Sequence, residues 1–230
     1  MDRNLNQIYT GARTAPAIRN RVLRNTYWLL AISMIPTILG AWLGVQFHFT
    51  LFAGSPGLGF IAFMAIAFGF FFAIEKTKNS GLGVALLLAF TFFMGLMLSR
   101  MIGQILGFAN GASLIMLAFG GTAMIFGVMA TVATVSRRDF SGLGKWLFAG
   151  VLVILLAGVA NIFLHLPALY LVVSVLAIAI FSAYILFDVQ QVINGGETNY
   201  ISATLKIYLD VYNIFVNLLA LLGIFGGRRN

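Results

Sequence analysis

The sequence contains no cysteine, which excludes disulfides, thiolate zinc sites and cysteine-ligated iron–sulfur clusters. It is also poor in acid. Six Asp and Glu occur in 230 residues, and charged residues of any kind make up only 9% of the chain, where a soluble domain carries about 25%. No phosphate-binding glycine loop, HExxH helix or nucleophile motif is present, so no enzyme and no cofactor is expected. The two histidines, His48 and His165, stand far apart in sequence without ligand-like neighbours, so no metal site is expected either.

What is present is hydrocarbon: 61% hydrophobic residues and a mean hydropathy of +1.00, distributed along the whole length. The expected fold is an all-α membrane protein. A membrane crossing needs about 20 apolar residues at ~1.5 Å each, and seven segments meet that, at 27–47, 57–74, 82–106, 112–135, 146–164, 168–193 and 203–226. Residues 1–26 form a basic N-terminal tail, with Arg3, Arg13, Arg19, Arg21 and Arg24 against the single acid Asp2, and residues 27–230 form one seven-helix domain. The apolar run after the tail is as long as a full span and has no small-residue cleavage site closing a short core, so it reads as an uncleaved first helix.

Loop charge sets orientation. The tail, the second loop (Lys76, Lys78), the fourth (Arg137, Arg138, Lys145) and the sixth (Lys206) are basic, whereas the first and fifth carry no Lys or Arg and the third at most Arg100. The positive-inside rule then puts the N-terminus in the cytoplasm and, after seven crossings, the C-terminus outside. Arg228 and Arg229 favour the alternative, a last segment that dips in and returns. The net charge of +8 lies beside helix ends, where it meets anionic headgroups of the bilayer rather than nucleic acid.

An acid within a membrane helix is costly and by default marks a functional site. Asp188 lies 21 residues after Pro167, about 31 Å along helix 6, and Asp210 about 10 Å into helix 7 from the same side. Two carboxyls meeting at that depth would share one proton and act as a latch, bridged when protonated and repelling when both are ionised. Their ionised oxygens, with Asn213 and Asn217 at i+3 and i+7 from Asp210, also suit a hard cation such as calcium. The plainer alternative is a solvated Asp188 at a helix end and an i, i+4 ion pair between Lys206 and Asp210. Arg100 lies near the outer interface. It is either a snorkelling side chain or, with Lys206, a candidate gating counter-ion. Glu75 and Lys76 read as a solvated face and Glu197 as a loop acid, while Gln104 and Asn161 are candidate interhelical hydrogen-bond groups. Gly95, Ser99, Gly103, Gly107 and Gly111 recur every fourth residue, a smooth face for either a sliding surface or a tight static contact.

The segments SRRDFSGLGKWLF (136–148), VANIF (159–163), FDVQQV (187–192) and IYLDVYNIF (207–215), with the GIFGGRR ending, make the chain similar to the Bax inhibitor family, also called the transmembrane Bax-inhibitor-motif family, and to its bacterial inner-membrane branch. The resemblance implies a seven-helix bundle with the last helix wrapped by the other six. It implies a pH-sensitive calcium leak in which an acid of helix 6 and an acid of helix 7, here Asp188 and Asp210, sense protons. It also implies a location in the bacterial cytoplasmic membrane and, for some bacterial relatives, a membrane-bound ATP-dependent quality-control protease as partner. The family pattern includes an arginine on helix 2; this chain has none there, and Lys76 and Lys78 lie only at that helix's end.

Overall fold

The computed structural model describes the backbone of residues 3–51 and 56–227 and the side chains of residues 19–51 and 57–227. Asp2, Arg228 and Arg229 lie outside the described residues, as do the side chains of Arg3 and Arg13. Among the described residues the chain forms seven α-helices: α1 (Arg3–Gln46), α2 (Pro56–Thr77), α3 (Gly81–Leu106), α4 (Gly111–Val135), α5 (Gly144–Leu164), α6 (Pro167–Asn194) and α7 (Tyr200–Gly226). Each contains a stretch long and apolar enough to cross a membrane. Helices are the expected outcome, because hydrocarbon supplies no partner for an unpaired backbone group.

The seven expected spans are all present, with one shifted boundary. The first apolar helix starts earlier than residue 27: its membrane-compatible part is Arg19–Gln46, and α1 runs back through the basic segment. Thr26 is fully buried there and donates to the Val22 carbonyl at 2.9 Å, so that polar turn is already part of the packed helix.

The connections follow ordinary turn chemistry. Pro167 opens α6, where its missing N–H costs nothing. Gly195 ends it at φ +78°, the left-handed conformation that glycine adopts most freely. Asn199 caps α7, its side-chain oxygen accepting the Ile201 N–H at 2.9 Å and the Ser202 N–H at 3.1 Å. Asn161 does not bridge helices. It accepts the Leu166 N–H at 2.9 Å and closes the α5–α6 turn.

Helix α7 is central. It packs against α1, α2, α3, α4 and α6; among the described residues only α5 does not touch it. The expectation of six surrounding helices is therefore corrected to five, because α5 lies outside the ring on α6. Around α7 gathers a core in which Tyr208, Phe90, Leu87, Ile74, Ile185, Ile207 and Ile214 are fully buried. Lipid provides no hydrophobic force between helices, so contact and interhelical hydrogen bonds hold such a bundle. The Tyr208 hydroxyl shares a 2.8 Å hydrogen bond with the Thr37 hydroxyl of α1. The Tyr212 hydroxyl donates to the Met94 carbonyl of α3 at 3.2 Å. Large apolar side chains such as Trp28, Phe72, Phe119 and Phe163 point outward, as a lipid-facing surface requires.

Candidate functional site

The two aspartates meet. Asp188 lies six residues before the end of α6 and Asp210 ten residues into α7, about 9 and 15 Å along their helices. Asp188 is 7% exposed and Asp210 4%. Their carboxyl groups lie within hydrogen-bonding reach of one another, a contact that two carboxyls can turn into a bond only by sharing a proton. Among the described residues Asp210 Oδ2 has no donor. Tyr184, one turn before Asp188, is close enough to feel both charges.

Of the other charged residues, Lys206 has a different partner from the one spacing allowed, and Arg100 lies at the outer end as expected. Lys206 does not pair with Asp210. It reaches Glu197 Oε2 at 2.7 Å while remaining within Coulombic range of Asp188. Lys206 stands six residues into α7, close enough to the α6–α7 connection for its long side chain to reach Glu197. Glu197 is thus half of an ion pair beside the aspartates rather than a free loop acid. Arg100 is not near the pair. It shares a cleft with Tyr170, and Asp188 lies 18 residues beyond Tyr170 on α6, about 27 Å away along the axis. That distance removes Arg100 as a counter-ion to the aspartates. Gln104 lines the same cleft. The Asn213 and Asn217 amide groups donate to the Leu209 and Asn213 carbonyls of their own helix, each at 2.8 Å, which leaves their oxygens for any other role.

Burial raises the Glu197 carboxyl, but the Lys206 ammonium and the Asn199 N–H, at 3.0 Å, outweigh it and hold the group below its ordinary value of 4.5. A carboxyl depressed in the folded state stabilises the fold above the unfolded value, and that contribution fades as pH falls through the folded one. The thermal midpoint in detergent should therefore drop as the pH falls below about 4.5, and the drop should be smaller in Glu197→Gln. An equal drop in both proteins would show that the ion pair contributes nothing.

Two polar residues escaped notice in the sequence. Gln190, buried on α6 two positions after Asp188, spends both ends of its amide on the α4–α5 loop: Oε1 accepts the Phe140 N–H at 2.6 Å and Nε2 donates to the Arg138 carbonyl at 2.7 Å. Within that loop Asp139 accepts the N–H and the hydroxyl of Ser141 at 2.9 and 3.0 Å, and these hold its carboxyl below the usual range. Asn199 likewise donates to the Lys78 carbonyl and Asn79 Oδ1, both at 2.9 Å, and Glu75, bonded to Lys78, accepts from Ser202 at 3.3 Å. The available signal was a glutamine in an apolar helix, where a polar side chain needs partners. The loops at this end of the bundle are therefore fastened to α6 and α7 next to the aspartates. Exposed on the same end stand Arg19, Arg21, Arg24, Arg137, Arg138 and Lys145.

Comparison with known proteins agrees with this geometry. The profile of the family described as "Inhibitor of apoptosis-promoting Bax1" matches residues 19–227. The chain is 41% identical over 211 residues to the "Modulator of FtsH protease YccA" of Escherichia coli K12, covering 92% of this chain and 93% of the relative. The same identity and coverage hold for the "Inner membrane protein YccA" of Escherichia coli O6:H1. An "Uncharacterized membrane protein" of Vibrio cholerae is 35% identical over 205 residues, covering 89% and 90% of the two chains. With a family profile spanning all seven helices and relatives aligned over nearly their full length, the chain belongs to the Bax inhibitor family.

Proposed function

We propose that this chain is a non-enzymatic, multi-pass inner-membrane protein that modulates a membrane-bound ATP-dependent quality-control protease. The observation that carries the reading is the 41% identity, over 92% of the chain, to a relative named for modulating such a protease. The basic end of the bundle supports it. Positive charge favours the cytoplasmic side, so this end faces the cytoplasm, the C-terminus faces the periplasm, and the basic tail forms the handle for the partner. The test is co-reconstitution of the protease with a membrane substrate, with and without this chain. The intact chain should change the degradation rate severalfold, and a version lacking residues 1–20 should lose that effect. Equal degradation rates in all three preparations would refute the reading.

A second reading is supported by the buried aspartates: a pH-sensitive calcium leak. Asp188 and Asp210 would be the proton sensor, Lys206 the neighbouring cation, and Asn213 and Asn217 groups lining the path further along α7. Calcium is here the permeant ion and not a bound cofactor. Calcium flux into proteoliposomes should respond to pH, and Asp188→Asn or Asp210→Asn should flatten the response. Flux and pH profile unchanged in both variants would dismiss the leak without touching the protease reading.

A further inference from the structure

Arg100 and its surroundings remain unused by either reading. At the end of the bundle opposite the aspartates lies a cleft of about 870 Å³. Arg100 and Gln104 of α3 stand on one side, Tyr170 of α6 on the other, and Gly223 and Ile224 of α7 form the floor. Among the described residues α3 and α6 do not touch. The central helix is therefore uncovered between them, and Ile224 is 51% exposed.

The lining has two characters. Arg100 lies six residues before the end of α3, about 9 Å from it, at the level where a long basic side chain reaches the headgroups. No acid pairs with it among the described residues. The described acids, Glu75, Asp139, Asp188, Glu197 and Asp210, are all gathered at the opposite end. The mouth therefore holds an uncompensated guanidinium beside an amide and a phenol, while the remaining wall, with Met97, Met101 and Ile224, is apolar. A ligand that satisfies both must carry an anion at one end and hydrocarbon at the other. A guanidinium binds phosphate oxygens in pairs, and the apolar wall of the cleft includes the exposed Ile224.

We propose that this cleft binds one phospholipid, its phosphate on Arg100 at the mouth and an acyl chain lying on α7 between α3 and α6. The site is independent of the protease and leak readings, since it shares no residue with either.

Native mass spectrometry of the full chain, released from mild detergent after equilibration with phosphatidylglycerol, tests it. The wild type should retain one lipid. Arg100→Gln should lower retention about tenfold, the loss expected for a charge-assisted hydrogen bond. Met101→Trp, which leaves the charge in place and fills the apolar wall, should lower it as well. Diolein, with the acyl chains but no phosphate, should not be retained, and excess inorganic phosphate should not displace the phospholipid. Equal retention by the wild type and both variants would reduce the bound lipid to the general annulus and overturn the proposal. Displacement by inorganic phosphate would assign the site to a free anion and overturn it equally.

Discussion

Gly95→Ala should destabilise the bundle by about 2–3 kcal/mol, the range seen for overpacking a filled contact, whereas Gly103→Ala, two turns along the same ladder, should cost nothing. A methyl group on Gly95 would overlap the Thr37 carbonyl oxygen and lie 2.9 Å from the Ala41 nitrogen, both backbone atoms of α1. The contact is reciprocal. A methyl on Gly40 would overlap the Phe92 carbonyl and lie 3.0 Å from the Leu96 nitrogen, and one on Gly44 would strike the Ser99 side chain. A flexible side chain could swing aside, but the obstacles at Gly95 and Gly40 are helix backbones, so α1 and α3 must separate. That movement also pulls Thr37 away from Tyr208. Alanine's better helix propensity, worth up to about 1 kcal/mol, works in the opposite direction and is too small to compensate. At Gly103 a methyl meets nothing within 4 Å, so only the propensity gain remains. Unfolding in mixed detergent micelles measures both variants. Equal stability of the two would mean that α1 and α3 are not locked by their glycines.

The same ladder shows what a sequence can and cannot convey. Its four-residue spacing correctly places small groups on one helical face, and a close helix–helix contact is present at Gly95 and Ser99. The pattern does not name the partner, nor where the contact stops. Gly103 faces open space, Gly107 follows the last turn of α3, and Gly111 is the first residue of α4, packed against the Ile105 carbonyl. Seven crossings were legible because a long apolar run has few alternatives in a membrane. Asp188 and Asp210 stood out because so few acids occur in such runs. Which cation stands near them was not legible. Spacing alone allowed Lys206 to meet Asp210, and the choice of Glu197 depends on the path of a five-residue connection. The position of Arg100 near the outer interface was legible too, from its distance along helix 3 and the charges of the loops.

Raising the pH from about 5 to about 9 should increase the labelling rate of a cysteine placed at Asn213 about tenfold more than it does in the Asp210→Asn protein, where thiol ionisation alone speeds the reaction. The chain has no cysteine of its own, so the introduced thiol is the only target for a water-soluble maleimide. Asn213 lies one turn beyond Asp210 on α7 and is half-buried, a position that reports any parting of α6 from α7. With one proton shared, the two carboxyls can bond and the helices stay together. With both ionised, two like charges at close range repel, and no bond from Asp210 Oδ2 to a neighbouring donor offsets that repulsion among the described residues. The neighbouring Lys206 is already engaged by Glu197 at 2.7 Å, so it screens Asp188 without neutralising the pair. In Asp210→Asn the amide keeps the shape of the carboxyl and can donate to an ionised Asp188 at any pH in this range, so α6 and α7 remain bridged. The thiol rate must be corrected for the intrinsic ionisation of cysteine, for which the Asp210→Asn protein serves as the reference. A corrected rate that does not change with pH would mean that the aspartates remain together when deprotonated and do not act as a latch.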